Sequence, residues 1–282
     1  MLHTNEFRYQ AVDGLQLYAR TWIPDGESRG VVVLVHGLGE YGGRYEEIGR
    51  RYTDRGYAFV AGDLRGHGLS EGRRAFASDI DVFMGDLDRY VAEVRSRFPG
   101  KPVFLYGFSM GSTLTAVYLI RRKPVLAGAI LCSGGYVMPA ASAAAMSKVK
   151  LLRHLVPTLA VANGMGPVRD KVCHDVSVLD AYDADDLVYK KITVGLAAVI
   201  MEANQEALVH AGEIRVPLLV MHGSDDVIAL PEGSQRLADG VTGDVTLKFW
   251  PGLYHFAHFE PGAKEQVAGY VADWMDAHCT VP

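Results

Sequence analysis

Apolar and polar positions follow two periods along this chain, and the exchange between them divides it into elements. Leu15, Leu17 and Ala19 alternate with Gln16, Tyr18 and Arg20, the period of a strand with one wet face. Phe7 to Ala11 precedes this run, with Asp13-Gly14 between, and the spacing predicts a hairpin. Four nearly unbroken apolar runs follow: Val31–Val35, Tyr57–Ala61, Pro102–Tyr106 and Ala127–Cys132. Such runs suit strands buried on both faces, as in a parallel sheet. Between them the period lengthens to that of a helix. Arg44 to Arg55 places Tyr45, Ile48 and Tyr52 at helical spacing, and Ile80 to Phe98 does the same with Phe83, Leu87, Tyr90, Val91 and Val94. Ser112 to Ile120 reads as a third helix, ended by Pro124. Strand and helix in alternation predict an α/β fold, with a mostly parallel central sheet flanked by helices.

The alternation then stops. From Gly134 to about Arg215 the pattern predicts no strand. Ala140 to Ala162 is Ala-rich and reads as a helix, with Val149, Leu152, Val156 and Leu159 on one side and Lys148, Lys150 and Arg153 elsewhere. Asn163-Gly164-Met165-Gly166-Pro167 ends it, and Leu187 to Ala211 reads as a second helical stretch. An interval this long exceeds an ordinary strand–helix connection. It is expected to form a helical cap over the strand ends. Val216–Met221 and Val245–Trp250 resume the sheet, with a helix over Pro231–Ala238 between them and a closing helix over Gly262–His278. The expected division is 1–135 and 216–282 for the core and 136–215 for the inserted cap.

Chemistry gathers where the strands end. Gly107-Phe108-Ser109-Met110-Gly111 joins a predicted strand to a predicted helix, the G-x-S-x-G pattern of a nucleophile elbow. A turn this tight strains its central residue and leaves room only for glycine on either side. A serine hydroxyl needs a base, and the base needs an acceptor for its other ring nitrogen. The strand ending at Met221 is followed by His222-Gly223-Ser224-Asp225-Asp226, and the strand ending at Trp250 by Pro251-Gly252-Leu253-Tyr254-His255. One right-handed crossover puts both loops on the same sheet edge. His255 is the expected base and Asp226, in preference to Asp225, the expected acid. His222 is expected to pack at its strand end. The glycine-rich turn His36-Gly37-Leu38-Gly39 follows the first long parallel strand, and the N–H groups of Leu38 and Met110 are the expected oxyanion donors. His36 and His67 are expected to brace their loops.

Composition narrows the field. The 282 residues are 49% hydrophobic and carry a net charge of −5, which argues for no nucleic-acid partner. Cys132, Cys173 and Cys279 stand far apart, which fits a reducing compartment. There is no signal pattern at the first residues and no apolar run long enough to cross a bilayer. The expectation is a cytoplasmic protein with a small-molecule ligand and no metal or organic cofactor. No oligomeric state follows.

Five stretches carry a family resemblance: His36 to Tyr45, Asp63-Leu64-Arg65-Gly66-His67-Gly68-Leu69-Ser70, the elbow, His222 to Asp226, and Pro251 to His255. In this order they resemble the monoacylglycerol lipase type of α/β-hydrolase. The resemblance implies a serine ester hydrolase acting on monoacylglycerols, with Ser109, Asp226 and His255 as its triad. It further implies that Glu40, Arg44 and His258 shape a polar pocket for the glycerol head. Separately from the resemblance, the apolar Leu and Val side of the predicted cap is expected to make peripheral contact with lipid aggregates or a membrane. A general carboxylesterase, a lysophospholipase and a non-catalytic receptor on the same fold are the alternatives. The family most often has histidine where this chain has Phe108.

Overall fold

A computed structural model describes residues 3–139, 148–149 and 151–279. The expected hairpin is β1 (His3–Gln10) paired antiparallel with β2 (Gln16–Ile23). β3 (Gly30–Val35) follows, and a 3₁₀ turn over Gly42–Tyr45 delays the predicted helix, so that α1 spans Glu46–Asp54. β4 (Tyr57–Gly62), α2 (Ile80–Arg97), β5 (Val103–Phe108), α3 (Met110–Arg122) and β6 (Gly128–Cys132) continue the alternation. Asp79 starts α2 by accepting the Val82 N–H at 3.0 Å, which satisfies a donor the helix cannot use itself.

The cap departs from its expected form. The pattern predicts no strand there, yet β7 (Ala160–Ala162) pairs antiparallel with β8 (Lys191–Thr193). The helix expected to reach Ala162 has ended by Arg153, ahead of Pro157, which cannot continue one. Much of that expected helix, 140–147 and Lys150, lies outside the described residues. α4 (Val176–Ala184) has no counterpart in the expectation; it buries only Leu179 and Tyr182, too few to make a stripe. α5 (Val194–Val209) occupies the second expected helix, capped by Thr193, whose Oγ1 accepts the Leu196 N–H at 3.2 Å.

The sheet then resumes with β9 (Leu218–Gly223), α6 (Pro231–Gly240), β10 (Val245–Trp250) and α7 (Lys264–His278). Strand order is β1-β2-β4-β3-β5-β6-β9-β10, and every pairing from β4 to β10 is parallel. Alternate residues feed two cores. Val31, Val33 and Leu105 face one side with Leu87 and Leu114, while Val32, Leu34 and Phe104 face the other with Tyr52 and Val271. The chain runs outward from β3 to β4 in one direction and from β5 through β6 to β9 and β10 in the other. That reversal opens a crevice beyond the carboxyl ends of β3 and β5, where the glycine-rich turn and the elbow stand.

Candidate active site

β5 ends at Phe108 and α3 begins at Met110, which leaves a turn of one residue. Ser109 sits there at φ 53° and ψ −117°, a backbone conformation that costs an ordinary L residue ~1–3 kcal/mol. The flanking glycines make the turn feasible. A Cβ on Gly107 would lie 2.6 Å from the Gly111 oxygen, and one on Gly111 would run into the Val35 carbonyl. The Ser109 N–H donates to the Cys132 oxygen at 2.9 Å and ties the elbow to β6.

The serine hydroxyl donates to His255 Nε2 at 3.0 Å, and His255 Nδ1–H donates to Asp226 Oδ2 at 2.7 Å. A carboxylate only accepts, so Asp226 fixes the tautomer that leaves Nε2 free to take a proton. Asp226 Oδ1 accepts the N–H groups of Ile228 and Ala229 at 2.8 and 3.1 Å. Burial alone would raise its pKa, but the two imidazoles of His255 and His222 more than offset that and hold it below the usual carboxylate range. Asp225 is exposed and accepts the Ser224 hydroxyl at 2.6 Å. Ser133, absent from the expected site, donates its hydroxyl to the His255 carbonyl at 3.0 Å. It stands at the end of β6, as Ser109 does at the end of β5, and that position was its one signal.

Leu38 and Met110 line the cavity beside Ser109. The loop that carries Leu38 is pinned along its length. His36 Nε2 accepts the Leu64 N–H at 2.9 Å and its Nδ1–H donates to the Gly37 oxygen at 2.8 Å. Gly42 N–H donates to Asp63 Oδ1 at 2.7 Å, and Tyr189 N–H from the cap donates to the Gly39 oxygen at 2.8 Å. Burial, with His67 close by, lowers the His36 pKa to about 3, so the ring stays neutral and keeps both bonds. His67 Nδ1–H donates to the Arg65 oxygen at 2.9 Å, and its ring lies edge-on to His36 at 5.3 Å. Both histidines brace loops.

Glu40 lines the cavity, is 2% exposed, and accepts from Arg44 Nε at 3.2 Å and from the Tyr45 hydroxyl at 2.8 Å. Arg44 also lies over the Tyr182 ring at 4.8 Å. The side chains of Arg44 and His258 stand behind the cavity wall, the first against Glu40 and the second against Phe108. His258 is buried, edge-on to Phe108 at 4.4 Å and 3.8 Å from Cys132 Sγ. Burial, then the nearby His255 and Arg44, lowers its pKa to about 3. Phe108 therefore fills the space under the elbow with ring contacts to His258 and, at 5.2 Å, to His255. The cavity measures about 360 Å³. Met138, Ile192, Ile200 and Met201 give it an apolar wall, into which Thr113 and Asn204 also open. Among the described residues, no three His, Cys, Asp or Glu side chains gather as a metal would require, and no helix is long and apolar enough to cross a membrane.

Serine at the elbow, then aspartate after β9 and histidine after β10, is the chain order of the α/β-hydrolase fold, and that is the class of this protein. Comparison with known proteins narrows it. The family described as "Serine aminopeptidase, S33" matches residues 26–262, and the chain belongs to it. A monoacylglycerol lipase of Mycolicibacterium smegmatis (strain ATCC 700084 / mc(2)155) is 34% identical over 281 residues, which cover 97% of this chain and 98% of that protein. The crystal structure of Paleococcus ferrophilus monoacylglycerol lipase matches with a TM-score of 0.81 and 27% identity, over 99% of each chain. An uncharacterized abhydrolase domain-containing protein of Dictyostelium discoideum is 32% identical over 263 residues, and this chain spans only 27% of its length. The protein is a serine ester hydrolase of the monoacylglycerol lipase-like branch.

Proposed function

We propose that this protein hydrolyses monoacylglycerols or similar single-chain esters through an acyl-enzyme. Ser109 Oγ attacks the ester carbonyl while His255 Nε2 takes its proton. The N–H groups of Leu38 and Met110 hold the oxyanion. As the tetrahedral species collapses, the ester C–O bond breaks and His255 returns the proton to the departing alcohol. Water then attacks the acyl-serine by the same steps, releasing the fatty acid. The acyl chain lies along the apolar wall of Met138, Ile192, Ile200 and Met201, and Glu40, held by Arg44 and Tyr45, meets the glycerol hydroxyls. The observation that supports this reading is a hydrogen-bonded Ser109–His255–Asp226 relay opening on a cavity that is apolar except for a few fixed polar groups.

Two measurements test it. An active-site-directed fluorophosphonate should label Ser109 in folded protein. A hydrolysis series over monoacylglycerols, diacylglycerols and p-nitrophenyl esters of graded length should favour single-chain esters. A folded protein that is not labelled overturns the enzyme reading, and a preference for diacylglycerols overturns the substrate.

The division into a core of 1–135 and 216–282 and a cap of 136–215 belongs to the same proposal. So does contact of the cap with lipid. Leu151 and Leu155 are 71% and 72% exposed, and Leu159 and Val161 are 50% and 46% exposed, so this stretch turns much of its apolar surface outward. Exposed apolar side chains gathered in one stretch suit a lipid surface. Liposome flotation without enrichment of the protein would remove this part.

A further inference from the structure

The next-to-last residue of β9 is a histidine that takes no part in the proton transfers between Ser109 and His255. His222 is fully buried, at 0% exposure. Leu218 and Val220, four and two residues earlier, occupy the same face of β9 and are apolar, as a strand end that merely packs would be. A ring there must find partners for two nitrogens, because an unmade bond is costly in the interior. It finds three. Nε2–H points at Asp226 Oδ2 at 2.9 Å and at the Ala229 oxygen at 3.1 Å, and the Ser234 hydroxyl lies 2.7 Å from Nδ1. Both groups facing Nε2 are acceptors, so Nε2 carries the proton and Nδ1 accepts from Ser234. Ser234 comes from α6, three residues ahead of the buried Leu237, and is itself 0% exposed.

We propose that His222 and Ser234 are positioning residues that extend the relay beyond Asp226. Ser234 fixes the His222 tautomer, and His222 divides the demand on Asp226 Oδ2 with His255. The inference rests on the reading of Ser109, His255 and Asp226 as the triad. Its consequence concerns protons. A second donor on Oδ2 lowers the proton affinity of the Asp226–His255 pair taken together. Removing it makes the pair hold a proton more tightly, so the acid limb of activity moves to higher pH.

The other titratable groups around the pair leave that limb readable. Cys132 faces Asp226 from β6, and burial pushes its thiol up to about 12. His258 lies near His255 with Arg44 beyond it, and its pKa is down at about 3. Neither the thiol nor the imidazole changes charge between pH 5 and 9.

The test is the pH profile of kcat/KM on a soluble p-nitrophenyl ester for wild type, His222→Leu, His222→Gln and Ser234→Ala. Glutamine can keep an N–H toward Asp226. The expected result is an acid limb raised by about one pH unit in His222→Leu, with kcat falling roughly 10- to 100-fold and KM little changed. Glutamine restores most of the wild-type profile, and Ser234→Ala moves the limb the same way by less. A limb in the wild-type position in His222→Leu, or a glutamine variant as impaired as the leucine one, overturns the proposal. Should His222→Leu not fold, an unmoved limb in Ser234→Ala overturns it instead. Fluorophosphonate labelling separates the two levels. An unlabelled wild type defeats the triad reading, whereas a labelled enzyme with an unmoved limb defeats this inference alone.

Discussion

On the sheet side of the cavity, Asp226, His255, His222 and Ser133 are buried and joined by hydrogen bonds of 2.7–3.0 Å. On the cap side, Leu151, Leu155 and Leu159 are at least half exposed. The sheet side is held by directional bonds whose loss leaves unpaired polar groups in the interior. The cap is anchored through α5, whose Leu196, Ala203 and Ala207 join the buried core, and by bonds such as Thr193 Oγ1 donating to the Ala75 oxygen at 2.6 Å, while its stretch from Leu151 to Leu159 leaves its leucines turned outward. Chemistry that depends on sub-ångström geometry belongs on the first side. Selection among apolar chains tolerates looser walls and belongs on the second. Substitutions on the sheet side should therefore affect every substrate alike, and substitutions of the outward-facing leucines of the cap should affect only substrates presented in lipid.

The strongest way to break that contrast is at the elbow. Ser109→Ala should lower kcat by about 10⁴-fold or more on soluble and vesicle-borne esters equally. Steady-state kinetics on both substrates check it, and a loss confined to one of them would mean that Ser109 acts in binding.

Next in size is the acid. Asp226→Asn should cost about 10³- to 10⁴-fold, because asparagine offers His255 a donor where it needs an acceptor. Asp225→Asn should leave turnover unchanged, since Asp225 bonds only at the protein surface. Turnover of the two variants on one soluble ester decides between them, and a larger loss at position 225 would reassign the acid.

The contrast also explains what could be read in advance. The sheet strands are legible because burial on both faces demands runs such as Val31–Val35, and Ser109 is legible because steric crowding demands glycine at 107 and 111. Asp226 and His255 follow from topology. The cap ribbon is not legible, because Ala160–Ala162 and Lys191–Thr193 are three-residue strands fixed by their pairing with each other and not by any local period. Ala-rich sequence points to helix there, and tertiary pairing overrides it. The bonds of His222 and Ser133 are hidden for another reason. His222 lies 12 residues from Ser234, and Ser133 lies 122 from His255, so neither pair leaves a mark in the local pattern.

A smaller effect is expected on the cap. Replacing Leu151 and Leu155 together with serine should leave soluble-ester turnover unchanged. It should lower liposome partition and turnover of vesicle-borne monoacylglycerol by at least about tenfold, given ~1.5–3 kcal/mol for each leucine buried in lipid. Flotation and vesicle assays read this directly. An equal loss on the soluble ester would show that these leucines support the chemistry and would erase the contrast.

The smallest effect on turnover is expected at Asp63, and it sharpens the account of the sheet side through stability. Asp63 and Asp226 are both buried at the same sheet edge, with opposite surroundings. Asp226 faces two imidazoles. Asp63 accepts only N–H groups, from Gly42 at 2.7 Å and Leu69 at 2.8 Å. Burial raises its pKa to about 6, with those bonds and the more distant Arg20 and Arg74 pulling the other way. The two linkages therefore have opposite signs. Asp226, held low when folded, adds stability above about pH 4 that is lost as pH falls. Asp63, held high when folded, contributes most below about pH 4, and that contribution is lost as pH rises through about 6. A shift of this size corresponds to at most about 3 kcal/mol. Asp63→Asn removes the term. Its unfolding free energy, followed by urea melts from pH 4 to pH 7, should gain on wild type across that window, even where the lost Leu69 bond makes the variant less stable throughout. A constant difference between the two proteins would mean that Asp63 is ionised at every pH in the window, and that its backbone bonds outweigh its burial as the imidazoles do for Asp226.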